Sequence, residues 1–315
     1  MHSNKFYNGV VLVNKPAGVT SHDTVLRIRR ALKQRRVGHT GTLDKRATGL
    51  LVVCVGRATK IVQFVSDFDK VYEAEIRFGR RSRTFDSEGV DRSQPPSPPP
   101  EWSTEEFDQY LSRYRGKIIQ KVPPFSAVHV DGKRLHELAR KGEEVDPPER
   151  EVEIKDLRLV SYRKPALRLR VKCSSGTYIR SLAEEMGNDI GCGAYLAKLV
   201  RTSVGSLRLK DALPLSRLER ICMMAEIDEY LIPLDRVLGF GAIQVTDDFR
   251  RFVVSGRPVT PEDITGVQGR FAAGDNVLLK DRHGHALAIG TAGVGSHETK
   301  DPGEREIFKY VRVLN

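Results

Sequence analysis

Residues 35–56, RRVGHTGTLDKRATGLLVVCVG, place one carboxylate, Asp44, in a turn of glycines, threonines and cations. Between Arg27 and Arg46 it is the only acid, while Arg27, Arg29, Arg30, Lys33, Arg35, Arg36, Lys45 and Arg46 are all basic. A lone carboxylate can act as nucleophile or base, and cations around it attract a phosphate backbone. The same residue type in a Gly/Thr loop also serves as an Asx turn cap, which is the commoner use when it is taken singly. Arg180, after CSSGTY, is a second pointer: it can pair with a carboxylate or phosphate, or lie on a solvated helix face. Other chemistries have no motif. There is no GxxxxGK[ST] phosphate loop, no GxSxG elbow and no HExxH pair. His283-Gly284-His285 has no carboxylate or cysteine close by in sequence and reads as a turn between strands. Cys54, Cys173, Cys192 and Cys222 form no CxxC pair, which argues against a zinc ribbon or disulfide framework and for a reducing compartment.

Several elements must position these groups. GVVLVNKPAG (9–18) reads as a buried strand stopped at Lys15-Pro16. TSHDTVLRIRRALKQRR reads as a helix with Ser21 as N-cap and Val25, Ile28 and Leu32 on its apolar face. The Asp44 turn follows, with Gly38, Gly41 and Gly49 available for sharp turns and close backbone approach. Then come a strand at 50–55 and an amphipathic helix carrying Ile61, Phe64 and Val65. KVYEAEIRFG (70–79) alternates strictly, with Tyr72, Ala74, Ile76 and Phe78 on one face and Glu73, Glu75 and Arg77 on the other. The proline-rich 93–100 segment predicts a loop or insertion. A helix over 104–114, a strand FSAVHV with a turn at Asp131-Gly132, and a short helix RLHELARKG stopped by Gly142 come next. Strands near 151–162 and 166–173 precede a helix capped by Thr177, with Ile179, Leu182, Ala183 and Met186 inward.

Strands and helices mix without regular βαβ alternation, so the fold class is α+β. After about residue 236 the chain turns to short β runs split by Gly, Asp and Asn, the pattern of a small barrel or sandwich, with one helix-like piece, DDFRRFVVSG. The expected division is residues 1–236 and 237–315. Lys and Arg number 52 against 41 Asp and Glu, for a formal charge of +11, which favours a polyanionic partner or serves solubility alone. No segment approaches the ~20 apolar residues of a membrane span, and the amino terminus lacks the apolar core of a signal peptide, so a cytoplasmic protein is expected.

GHTGTLDKRATGLL resembles the signature of the TruB family of tRNA pseudouridine synthases, usually G-H-T-G-T/A-L-D-P-L-A-T-G-L-L. VLVNKPAGVTSHD resembles the family's amino-terminal Lys-Pro motif, and KVYEAEIRFG with TFDSEG resembles its tyrosine strand and the Asp-x-x-Gly segment after it. FSAVHVDGKRLHELARKG, VKCSSGTYIRSLAEEMG and GAYLAKLVRTSVG resemble later blocks, all in family order across residues 9–205. The tail resembles a PUA-type RNA-binding domain, a small β-barrel behind the family's mixed, largely antiparallel sheet. Lys45-Arg46 stand where Pro-Leu is usual, and His129 and His136 where Lys and Tyr are usual.

The resemblance implies isomerisation of uridine to pseudouridine at position 55, in the T-loop of tRNA, with no cofactor and no metal. It makes Asp44 the catalytic carboxylate, Tyr72 the ring that stacks on the target base and handles its C5 proton, and Arg180 the partner of Asp44. Lys15 and Pro16 support the loop, His39 holds flipped-out bases, and Leu199 lines the base pocket. Such an enzyme acts on the T-arm as a monomer without an obligate protein partner. The alternatives are the catalytic subunit of a guide-RNA pseudouridylation particle and a non-catalytic tRNA-binding or folding protein.

Overall fold

The computed structural model describes residues 5–93, 95–126, 128–130, 132–141 and 146–314. Asp131 and Gly142, and the side chains of His129 and His136, lie outside what is described. A ten-stranded sheet dominates. Its main path runs Leu213–Pro214, Gly9–Lys15, Thr48–Val55, Ala194–Val204, Lys70–Phe78, Ala166–Cys173, Glu149–Arg163 and Gly116–Lys121. Val37–His39 adds to Thr48–Val55, and Leu207–Arg208 to Ala194–Val204. Gly9–Lys15 pairs parallel with Leu213–Pro214, as Ala194–Val204 does with Thr48–Val55, and the other pairings are antiparallel. This is the α+β, mixed and largely antiparallel sheet expected.

The alternation in Lys70–Phe78 sets its two faces. Tyr72, Ala74, Ile76 and Phe78 pack with Leu182, Ala183 and Met186 of the helix Ile179–Ile190. The opposite face is more than a solvated surface, because Glu75 is only 5% exposed beneath Arg77, Arg168 and Lys198, at 3.2, 3.3 and 3.7 Å. Ala194–Val204 pairs with Lys70–Phe78 through two irregularities that leave Ala197 and Thr202 out of the paired register, the Thr202 hydroxyl donating to the Val71 carbonyl at 3.2 Å. Leu199 therefore lies opposite Ala74, and Arg201 opposite Tyr72.

Several local expectations shift by a residue or more. The helix Ser21–Leu32 is capped by Thr20, in a reciprocal box with Asp23, not by Ser21. The helix at Ile179–Ile190 begins after Tyr178 with no side-chain cap, and the Thr177 hydroxyl donates to the Ser174 carbonyl. The segment around Ile61–Val65 divides into a 3-10 turn, Gly56–Ile61, and a short helix, Val62–Ser66. Among the described residues of FSAVHV, only His129–Val130 is strand. The edge strand Gly116–Lys121 has no strong alternation to announce it. The proline-rich segment is held at its middle and its carboxyl end: Ser97 N–H donates to the Gly79 carbonyl at 2.9 Å, and Tyr162 OH to the Pro100 carbonyl at 2.6 Å.

A separate five-stranded sheet follows, ordered Ile264–Gln268, Gly241–Val245, Asn276–Lys280, Ala286–Ala292 and Phe308–Val313. Its Ala242, Leu278 and Ile289, with Leu314, pack against Val10, Leu12, Leu50 and Val52 of the large sheet. DDFRRFVVSG contains a 3-10 turn, Asp247–Phe252. The His283–His285 segment is the turn between two strands, its backbone N–H groups at both histidines donating to Asp281. Among the described residues, no group of three or more His, Cys, Asp or Glu is placed to hold a metal.

Candidate active site

The Asp44 loop is fixed from beneath by three side chains. Arg201, 2% exposed, donates from Nε to the Leu50 carbonyl at 2.8 Å, from Nη2 to Gly41 at 2.9 Å and from Nη1 to Thr42 at 3.4 Å. Lys15, fully buried, donates to the carbonyls of Val19, Pro16 and Lys45 at 2.7, 3.0 and 3.4 Å. Burial lowers its pKa to about 8, against the pull of Asp44 and with the push of Arg201. Ser21, freed from capping, accepts from Leu43 N–H at 2.8 Å and donates to the Leu43 carbonyl at 3.1 Å. Gly49 is the one loop glycine whose conformation excludes other residues. Its φ is +101°, and a Cβ there would stand 2.4 Å from the Arg201 carbonyl oxygen. Gly38 and Gly41 show neither feature.

Above this base the Asp44 carboxylate is half exposed, with Arg180 Nε 2.9 Å from Oδ2 and Nη2 donating to Oδ1 at 3.3 Å. The Nε contact is an ion pair without hydrogen-bond alignment. The guanidinium, 5% exposed, also donates to the carbonyls of Phe125 at 3.1 Å and Thr84 at 3.2 Å, so its plane is set by three separate segments. The entry to its helix is clamped as well. The buried Gln120 amide accepts from Tyr178 N–H at 2.9 Å and donates to the Tyr178 carbonyl at 3.0 Å.

Asp44, Arg180, Tyr72, Leu199 and His39 line one cavity of about 580 Å³, room for a nucleotide base and its sugar. Burial raises the Tyr72 phenol above its ordinary pKa, only partly opposed by the positive charge of Arg201. Burial, then Arg201 and His22, lower the pKa of His39, so its imidazole is neutral at neutral pH. Among the described residues, its buried Nδ1 has no hydrogen-bond partner.

Five of the seven residues singled out from sequence thus meet in one cavity. Lys15 and Pro16 do not line it; Lys15 lies under the loop, and Pro16 is exposed with its carbonyl accepting from Lys15. Three supporting residues had escaped the sequence reading: Arg201, Ser21 in its role at Leu43, and Gln120. Only Arg201 left a signal, one of two cations, with Lys198, in the otherwise largely apolar strand LAKLVRTSV.

The chain is similar to known proteins over most of its length. Residues 29–179 match the model for the TruB family pseudouridylate synthase N-terminal domain. Residues 180–239 match the tRNA pseudouridylate synthase B C-terminal domain, and 241–314 the PUA domain. The chain is 35% identical to tRNA pseudouridine synthase B of Bacillus pumilus over 319 residues, covering 98% of each chain. To the Bacillus subtilis protein of the same name it is 36% identical, covering 90% of this chain and 92% of that one. Among solved structures, a chain of the archaeal box H/ACA sRNP Nop10-Cbf5 complex superposes with a TM-score of 0.73 at 22% identity, over 98% of this chain and 86% of that one, a likeness of fold.

Proposed function

The chain belongs to the TruB family of pseudouridylate synthases, and from that premise we propose that Asp44, Tyr72 and Arg180 carry its isomerisation of tRNA uridine to pseudouridine. The observation that supports this most is the Arg180 guanidinium, 2.9 Å from the Asp44 carboxylate, beside Tyr72 in a base-sized cavity. The reaction breaks the N1–C1′ bond, turns the uracil and joins C5 to C1′. One carboxylate suffices, as nucleophile or as base. The uridine must leave its stack at a cost of a few kcal/mol, and stacking on Tyr72 offsets roughly 1–3 kcal/mol of it. A phenol whose pKa burial raises is protonated at working pH, so Tyr72 stacks and donates, and accepts the C5 proton only after giving up its own.

Lys15 acts as a positioning residue under the loop, and Pro16 through its carbonyl, which accepts from Lys15; His39 holds extruded bases, and Leu199 closes the apolar side of the pocket. The target is the uridine at position 55 in the T-loop, and the enzyme acts in the cytoplasm as a monomer on bare tRNA. Residues 1–236 form the catalytic unit and 237–315 the RNA-binding unit. No helix among the described residues is long and apolar enough to cross a membrane.

Asp44→Asn tests the assignment. Tritium release from 5-tritiated uridine in a T-arm stem-loop should vanish while RNA affinity stays within a few-fold of wild type. Wild-type turnover by this variant would refute the role of Asp44, and activity only with an added guide RNA would favour the particle subunit.

A further inference from the structure

Most cations of the large sheet's outer face are neutralised within the protein. Arg77, Arg168 and Lys198 converge on Glu75, Arg158 and Arg170 on Asp156, and Lys155 on Asp69. Arg27 is paired bidentately with Glu219 at 2.6 and 2.7 Å. A different arrangement occurs where the two sheets meet. The Arg36 carbonyl accepts from Gly56 N–H at 2.8 Å, which sets Arg36 beside Arg57. Lys60 follows Arg57 by one 3-10 turn, and its Nζ donates to the Val313 carbonyl at 3.0 Å. The next residue back, Arg312, donates to Gln63 at 3.3 Å.

Three segments of chain thus bring four cations together. Arg36, Arg57 and Arg312 are exposed, and among the described residues none of the three is ion-paired. Their charges add to burial in lowering the pKa of Lys60. Like charges held together oppose folding, so the cluster is arranged for an external anion rather than for stability. Arg57 also lines a 510 Å³ cleft at the junction with Arg236. The acids at that cleft are engaged: Asp235, which lines it, pairs with Lys280 at 2.9 Å, and Asp281 accepts from the turn at His283 and His285.

Position decides which phosphates could reach it. Thr48–Val55 has the Asp44 loop and Gly49 at one end, and Val55, next to Gly56 and Arg57, at the other. Six residue steps at ~3.3 Å put the cluster ~20 Å from the reacting loop. Five base pairs of an arm rise at most ~17 Å, at ~3.4 Å per pair. We propose that Arg36, Arg57, Lys60 and Arg312, continued by Arg236 along the cleft, form a track for the phosphodiester backbone of the tRNA duplex beyond the reacting arm. This rests on reading the chain as a tRNA-modifying enzyme.

The test compares wild type with the triple variant Arg36→Gln, Arg57→Gln, Arg312→Gln on full-length tRNA and on an isolated T-arm stem-loop, by filter binding and tritium release. Each phosphate contact contributes ~0.7–0.9 to the slope of log affinity against log salt. Between 50 and 200 mM salt the wild type should therefore lose on the order of 20–40-fold more affinity for full tRNA than the variant does. Stem-loop binding and turnover should be unchanged, and the matching triple Arg→Lys variant should keep wild-type tRNA affinity and slope. The proposal is overturned if the Gln variant binds full tRNA as wild type does, or if tRNA and stem-loop weaken alike. Absence of pseudouridine with wild-type enzyme on both RNAs would overturn the parent reading instead; the binding comparison decides this one by itself.

Discussion

Replacing Arg201 with methionine should loosen the Asp44 loop, and it also removes the positive charge that acts on Tyr72 and His39. Three carbonyls lose their donor in that variant. The bonds at 2.8 and 2.9 Å count at about 1.5 kcal/mol each, the lower end for a charged donor, and the one at 3.4 Å at nearly nothing. Loss of about 3 kcal/mol is partly returned, because Arg201 is a buried cation with no ion-paired carboxylate among the described residues, and methionine avoids its desolvation. A net cost of about 2–3 kcal/mol corresponds to a fall in Tm of roughly 4–12 °C for a unit of this size. Thermal melts followed by circular dichroism give the first number, and tritium release on a T-arm stem-loop below the variant's Tm gives the second. Turnover should drop at least tenfold while stem-loop affinity changes little, since Gly41 and Thr42 lead directly into Asp44. Arg201→Lys, which can serve one carbonyl well and not three, should fall between. A Met variant with Tm within 1 °C of wild type and full turnover would refute the claim that Arg201 sets this loop.

Two further predictions concern the same base. Gly49→Ala sets a Cβ against the Arg201 carbonyl at 2.4 Å and a strained φ, so it should yield insoluble protein or a Tm at least ~10 °C lower. Gly41→Ala, whose Cβ meets only the Arg201 Nη1 at 3.5 Å, should fold normally, and equal solubility and Tm for the two variants would count against the argument. Lys15 has its folded pKa lowered to about 8 from 10.5, so between those values the unfolded chain binds more protons than the folded one. Stability then rises with pH through that window. The urea-unfolding free energy of wild type minus that of Lys15→Met should increase from pH 8 towards 10, and a pH-independent difference would refute it.

What could be read from the sequence divides along physical lines. Strict alternation in Lys70–Phe78 and the 3.6-residue spacing in Ser21–Leu32 announce themselves because one face of each is apolar. The residues of the loop alone favoured a turn cap for Asp44, and the ordered resemblance gave it, with Tyr72 and Arg180, a catalytic part. The supporting contacts were hidden for a different reason. Arg201, Ser21 and Gln120 work through backbone carbonyls and amides of segments distant in sequence, and a carbonyl carries no side-chain signature. The caps failed for a related reason: adjacent Thr20 and Ser21 are equally good caps, and only the Leu43 contact decides between them. The burial of Glu75 carried no sequence signal, because alternation reports a face, not how many cations fold over it.

The two residues out of the paired register on the central strand, Ala197 and Thr202, also bear on how such an enzyme can change. Four residues between them, 198–201, are locked in register with 72–75, and these include the pocket leucine and the arginine under the loop. A one-residue slip in an ordinary strand turns every side chain to the other face. Here a residue gained or lost near either end of Ala194–Val204 can be absorbed where the ladder is already broken, leaving Leu199 and Arg201 pointing as before. The strand can drift in length during evolution while its catalytic stretch keeps its aim.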